Sequence, residues 1–240
     1  LNPSWEVARA LDGGLVTALR LPCEFGRAKE LLWQALDSGR FDVLLSLGLA
    51  GNRPDVTVER IAINVDDARI PDNAGQQPVD QPVVAGGPVA YWNTLPIKRM
   101  VEAVRAEGVP ASVSQTAGTF VCNHVFYAGA HWAATRQPGL RVGFMHLPLL
   151  LEQAVNKPGF TGMALETQVQ AARAWVVAQT ATHHHVAVLQ AVAIGQHHVV
   201  VHLQLQALAR HGNAHLRVGQ GERGEPFQQL VLHREAAACR

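Results

Sequence analysis

A chain of 240 residues that is 48% hydrophobic and 16% charged carries enough apolar material for a large buried core, which excludes a disordered tail or low-complexity linker as its main character. A formal net charge of +1, with basic residues not clustered among aromatics, argues against a nucleic-acid or anionic-membrane surface. The three cysteines, Cys23, Cys122 and Cys239, are widely separated with no CxxC spacing, and neither a signal-peptide pattern nor a bilayer-length apolar run is present. The expected setting is therefore reducing and cytoplasmic.

The first predicted element is a helix. Asn2 can cap it, Pro3 pre-sets its first turn, and Gly13 and Gly14 end it after Leu11. Leu15 to Leu21 has strand character, and Phe25 to Leu36 places Leu31, Leu32, Ala35 and Leu36 on one helical face. Phe41 to Leu49 is a near-continuous apolar run ended by Gly51, as in a strand buried on both faces of a parallel sheet. An Asn-, Pro- and Asp-rich loop leads to Glu59 to Val65, where Ile61, Ile63 and Val65 alternate like a strand. The next segment is loop, because Pro71, Pro78, Pro82 and Pro88 would break any regular element. Helical spacing returns over Leu95 to Ala106 and closes at Gly108 and Pro110. Ala111 to Ser114 reads as a strand, Cys122 to Ala134 as a helix, Arg141 to Leu147 as a strand, and Met163 to Val177 as a helix.

Strands alternating with helices predict an α/β fold with a mainly parallel sheet and helices on both faces. Working residues in such folds gather at the carboxyl ends of strands and the following helix N-termini, where Cys122 and His146 are both expected. A helix N-terminus favours the thiolate, the reactive form of cysteine. A lone Cys in apolar surroundings is otherwise a small buried hydrophobe, so Cys122 gains meaning only from the rest of the chain.

GLAGNR (48–53), ERIAINVDDARIPDNAG (59–75), TLPIK (94–98), SVSQTAGTFVCNH (112–124) and GFMHLPLL (143–150), with NPSWE near the start and MALE later, give that context. In this order and spacing, over roughly residues 1–170, the chain closely resembles the type I pyroglutamyl peptidases, cysteine peptidases that remove an N-terminal pyroglutamate. The resemblance implies a three-layer α/β/α sandwich, an intracellular and commonly tetrameric enzyme, no metal or other cofactor, and peptides as substrates. It also implies catalytic roles for Cys122, His146 and Glu59, a charge from Arg69 close to the reacting carbonyl, and substrate contacts from Asn2 and the backbone at Leu49. The chemistry is coherent: acyl transfer needs a nucleophile, a base that later acts as an acid, and a group that orients that base.

Two departures shape further expectations. Family members begin with a strand and a Gly-Phe-x-Pro-Phe-Gly-type loop before the NPSWE-like helix, so the resemblance implies that the sheet's first strand and part of the pocket wall are missing here. The composition also changes beyond Gln179, where nine of the twelve histidines lie and neither Lys nor Asp occurs. Residues 1–178 are expected to be the catalytic domain and 179–240 an atypical His/Gln-rich extension, with Val199 to Leu205 a candidate strand. Two alternatives stand beside the peptidase: a truncated or frameshifted non-catalytic homologue, and a metal-binding module using His183 to His185 or His197, His198 and His202.

Overall fold

The structure, a computed structural model, describes residues 2–13, 16–180 and 200–203, with 177–180 and 200–203 described by their backbone. The chain contacts divide into two units, Leu1–Ala209 and Arg210–Arg240; the second lies outside the described residues. Helix α1 (Pro3–Leu11) begins at Asn2, whose Oδ1 accepts from Ser4 N–H at 3.0 Å and from the Ser4 hydroxyl at 2.6 Å. Strand β1 (Val16–Leu19), helix α2 (Arg27–Asp37) and strand β2 (Val43–Leu49) follow.

Glu59 to Val65 is not one strand. The chain forms β3 (Val56–Glu59) and β4 (Ile61–Ile63), separated at Arg60. The Pro54-Asp55 turn signal hid the β-branched Val56-Thr57-Val58 run behind it. β4 leaves the main sheet to pair antiparallel with β5 (Ala90–Trp92). The proline-rich stretch between them is loop, held by reciprocal backbone bonds between Asp66 and Gln81 and by Asp72, which accepts from Ala74 and Gln76 and reaches back to Phe25 N–H at 2.7 Å. The remaining elements are α3 (Ile97–Ala106), β6 (Ala111–Ser114), α4 (Val121–Arg136), β7 (Arg141–Leu147), the single turn α5 (Leu151–Ala154), α6 (Leu165–Thr180) and β8 (Val200–Leu203).

The main sheet runs β1-β8-β2-β7-β3-β6. Its longest ladder is the parallel β2–β7 pair, and β3 and β6 are also parallel. β3 runs antiparallel to β7, and β8 lies antiparallel between β1 and β2. Side-chain alternation along these strands feeds two cores. Leu44, Val142 and Phe144 join α2 and α4 on one face, while Val43, Leu45, Leu47, Val56, Val58, Met145 and Leu147 join α1, α3 and α6 on the other. The fold is thus an α/β/α sandwich, and the near-continuous apolar character of β2, interrupted by Ser46, reflects its burial from both sides. Among the described residues, no helix is long and apolar enough to cross a membrane.

Candidate active site

Strand parity assembles the site. Val56 and Val58 of β3 face the α1/α3/α6 core, so Thr57 and Glu59 face the other way; Met145 and Leu147 of β7 likewise leave Phe144 and His146 toward α4. Helix α4 covers that face and carries Cys122 as its second residue. From sequence, Cys122 and His146 are expected to meet because both lie at the shared carboxyl edge of parallel strands. That reason fails, because β6, which leads to Cys122, runs opposite to β7. What they share is the face of the sheet and the electrostatic neighbourhood of Glu59 and Arg53.

Glu59 is fully buried, and its Oε1 accepts from His146 Nδ1 at 2.7 Å and from Arg53 Nη1 at 2.5 Å. Asn93 fixes the same residue by its backbone, donating to the Glu59 carbonyl at 2.7 Å. Burial alone would raise the Glu59 pKa. The hydrogen bond from His146 and its charge, the Ser114 hydroxyl and the Arg53 charge reverse the sign, holding the carboxyl below its ordinary range. Glu59 Oε2 is buried without a hydrogen-bond partner within normal limits, and the nearby Ser114 hydroxyl, whose dipole still favours the carboxylate, donates to the Thr116 carbonyl at 3.0 Å. Burial pushes the His146 pKa down despite Glu59, and Arg53 adds to the depression. The pair rests as an ionised carboxylate and a neutral imidazole. With its proton on Nδ1, the ring keeps an Nε2 lone pair for a second proton.

The His146 ring is packed as well as bonded. Phe144 lies against it with ring centroids 4.7 Å apart, and Gly48, its register partner on β2, leaves room for it. A Cβ at Gly48 would come within 2.9 Å of His146 Cδ2.

Cys122 is 8% exposed. Burial raises its thiol pKa well above the ordinary value, and the charges of Cys23 and Glu59 add to that; Arg53 and its own backbone N–H oppose it without reversing the sign. The helix N-terminus therefore does not yield a resting thiolate, because desolvation outweighs it. At rest the thiol is therefore protonated and the imidazole neutral.

The family profile described as pyroglutamyl peptidase matches residues 1–182. The chain belongs to the pyroglutamyl peptidase family. It is 55% identical over 178 residues to a pyrrolidone-carboxylate peptidase of Chromobacterium violaceum, covering 72% of this chain and 82% of the relative. It is 53% identical over 188 residues to that of Cupriavidus taiwanensis, covering 76% and 87%. Among solved structures it resembles pyroglutamyl peptidase I of Bacillus amyloliquefaciens at 40% identity and TM-score 0.71, over 75% of this chain and 90% of the other. A mutant pyrrolidone carboxyl peptidase of Pyrococcus furiosus matches at 35% identity and TM-score 0.70, over 75% and 91%.

Of the residues expected from the family resemblance, Glu59 and His146 are in direct contact, and Cys122 lies within their electrostatic reach. Leu49 ends β2 beside Leu147, one residue beyond the Gly48–His146 register pair. Arg69 is exposed in the loop after β4. That loop is tied to the segment before Cys122, because Asp67 N–H donates to the Thr119 carbonyl at 2.9 Å and the Thr119 hydroxyl donates to Asp67 O at 2.7 Å. Asn2 is buried, with its side-chain carbonyl engaged in the α1 cap. One partner of Glu59 was missed, and His124, to which the sequence assigns packing alone, is a buried residue with its own partners. Arg53 stood inside the GLAGNR motif with no role attached, although an arginine six residues before a buried glutamate is an available signal. His124 forms a second buried His–carboxylate contact, Nδ1 to Asp66 Oδ2 at 2.7 Å, while its Nε2 accepts from Gly26 N–H at 3.2 Å. Among the described residues no group of three or more His, Cys, Asp or Glu is placed to hold a metal. His183 to His185, His197 and His198 lie outside the described residues, and His202 is described by backbone alone.

Proposed function

We propose that this chain is a cysteine exopeptidase that hydrolyses the amide bond after an N-terminal pyroglutamyl residue of a peptide, with Cys122, His146 and Glu59 as its catalytic residues. The observation that carries the reading is the buried Glu59–His146 hydrogen bond at 2.7 Å on the sheet face covered by α4, the helix that presents Cys122. Family membership over residues 1–182 supplies the substrate class.

Cys122 Sγ attacks the exocyclic carbonyl carbon of pyroglutamate as its proton passes to His146 Nε2, and Glu59 stabilises the imidazolium formed. The tetrahedral oxyanion is met by the Cys122 backbone N–H at the start of α4, with Arg69 supplying positive charge. The C–N bond then breaks, and the amine leaves with the proton from His146. Water, deprotonated by the same imidazole, hydrolyses the thioester to pyroglutamate and free thiol. The lactam is uncharged, and unpaired buried N–H and C=O groups are costly, so partners at the Leu49 backbone and Asn2 would select pyroglutamate over charged N-termini. No step requires a metal.

The same reading assigns the catalytic domain to residues 1–178 and treats 179–240 as an extension, in keeping with a family match that ends at residue 182. It also assigns a cytoplasmic setting and a homotetramer, both carried by the family resemblance. The test is release of a fluorophore from a pyroglutamyl amide. The wild-type chain turns over, and Cys122→Ala removes the activity. An equal rate in Cys122→Ala would overturn the assignment, and an inactive wild type would favour the non-catalytic homologue.

A further inference from the structure

Resting on that reading of the site, we infer that Arg53 is a positioning residue that ties the catalytic carboxylate to the loop in front of the nucleophile and balances the charge of Glu59 at Cys122. Its side chain is 25% exposed, so it is mostly enclosed. Nη1 donates to Glu59 Oε1 at 2.5 Å and to the Thr57 hydroxyl at 2.6 Å, and Nη2 donates to the Thr116 carbonyl at 3.2 Å. One planar group therefore joins the end of β3 to the Gln115–Phe120 segment that delivers the chain into α4. Lysine, a point donor on a flexible stem, cannot hold two such sites in fixed geometry.

Glu59 is a fully enclosed anion, needed to orient His146 and stabilise its charged form, yet the same charge opposes ionisation of the nearby thiol. A cation on the oxygen that faces His146 lets the carboxylate keep its hydrogen bond while reducing its field at Cys122. Arg53 lowers the pKa of both Cys122 and His146, so it favours the thiolate without favouring a resting imidazolium.

The distinguishing measurement is the pH dependence of iodoacetamide alkylation at Cys122, followed by the mass of the labelled peptide, together with kcat and KM on a pyroglutamyl amide. In Arg53→Met the alkylation midpoint moves up by about 1 pH unit. Its kcat falls about tenfold to a hundredfold while KM stays within about threefold. Arg53→Lys returns the alkylation midpoint toward wild type but recovers kcat only in part. If Arg53→Met does not fold, Arg53→Gln carries the same expected upward midpoint shift. A folded Arg53→Met or Arg53→Gln protein whose alkylation profile overlies wild type overturns the inference, even if its Tm is lower. Alkylation needs no substrate, so a shifted midpoint in a chain that fails to cleave pyroglutamyl amides would sink the substrate assignment and leave the role of Arg53 standing.

Discussion

Gly48→Ala tests whether packing, and not only hydrogen bonding, sets the His146 imidazole proposed as catalytic. The added Cβ would sit 2.8 Å from Phe144 Cζ, 2.9 Å from Phe144 Cε1 and 2.9 Å from His146 Cδ2. Carbon atoms at rest lie about 3.5–4.0 Å apart, so each ring must withdraw by roughly 0.5–1 Å. Neither has free space: Phe144 is fully buried against Phe126 with centroids 5.7 Å apart, and His146 is 4% exposed and bonded to Glu59. Overpacking of this kind costs about 1–3 kcal/mol of stability, a fall in Tm of roughly 2–10 °C for a domain this size. With His146 in the proton-transfer role proposed above, a displacement near 1 Å lowers kcat about a hundredfold. Thermal unfolding and steady-state hydrolysis of a pyroglutamyl amide measure the two effects on one preparation. A variant with wild-type kcat and Tm would show that β2 and β7 separate freely enough to admit a methyl group, and the packing argument would fall.

Two further outcomes follow from buried ionisable groups. Burial, with Asp72 and Glu24, pushes the Cys23 thiol up from 9.0 to about 12. The unfolded chain therefore loses this proton first, so stability held below pH 9 declines as pH rises through the interval up to about 12. Cys122 contributes with the same sign. Chemical denaturation of Cys23→Ala between pH 8.5 and pH 10.5 should show a shallower decline than wild type, by about 1 kcal/mol per pH unit; parallel curves would refute the assignment. His124→Ala leaves the buried Asp66 without its ring partner and frees Gly26 N–H, and Asp66 Oδ1 is already unpaired. The expected loss is about 3 kcal/mol by urea titration, and a loss below about 0.5 kcal/mol would mean that the pair is dispensable.

Much of the fold was legible because local signals agreed with burial. Asn2-Pro3 marked the start of α1, and the RVGFMHL run gave the bounds of β7. The apolar run of β2 correctly implied cover on both faces. The division at Arg60 was not legible, since Ile61 and Ile63 alternate as well in a two-stranded ribbon as in the central sheet. The direction of β3 was equally hidden: short strands carry no mark of whether a neighbour runs parallel or antiparallel. Glu59 and His146 were singled out from motifs, but the contact between them, set by strand parity under α4, required the register. The sign of the Cys122 shift was misjudged because a helix N-terminus is visible in sequence and desolvation is not.

The place of β8 bears on how the chain reaches its final form. β1 makes its main-sheet ladder with β8, pairing Val16 with Leu203 and Leu19 with Val200. On a ribosome, β1 emerges long before β8, and the whole stretch between the two must follow before its sheet partner exists. Closing so long a loop costs little more entropy than closing a moderate one, because the cost grows only with the logarithm of length, but such distant pairing is slow. In the interval β1 and the adjoining edge of β2 present unpaired backbone groups, a template for strands of other nascent copies. The order of synthesis therefore makes this edge of the sheet the last to close and the first to be at risk of pairing with the wrong chain.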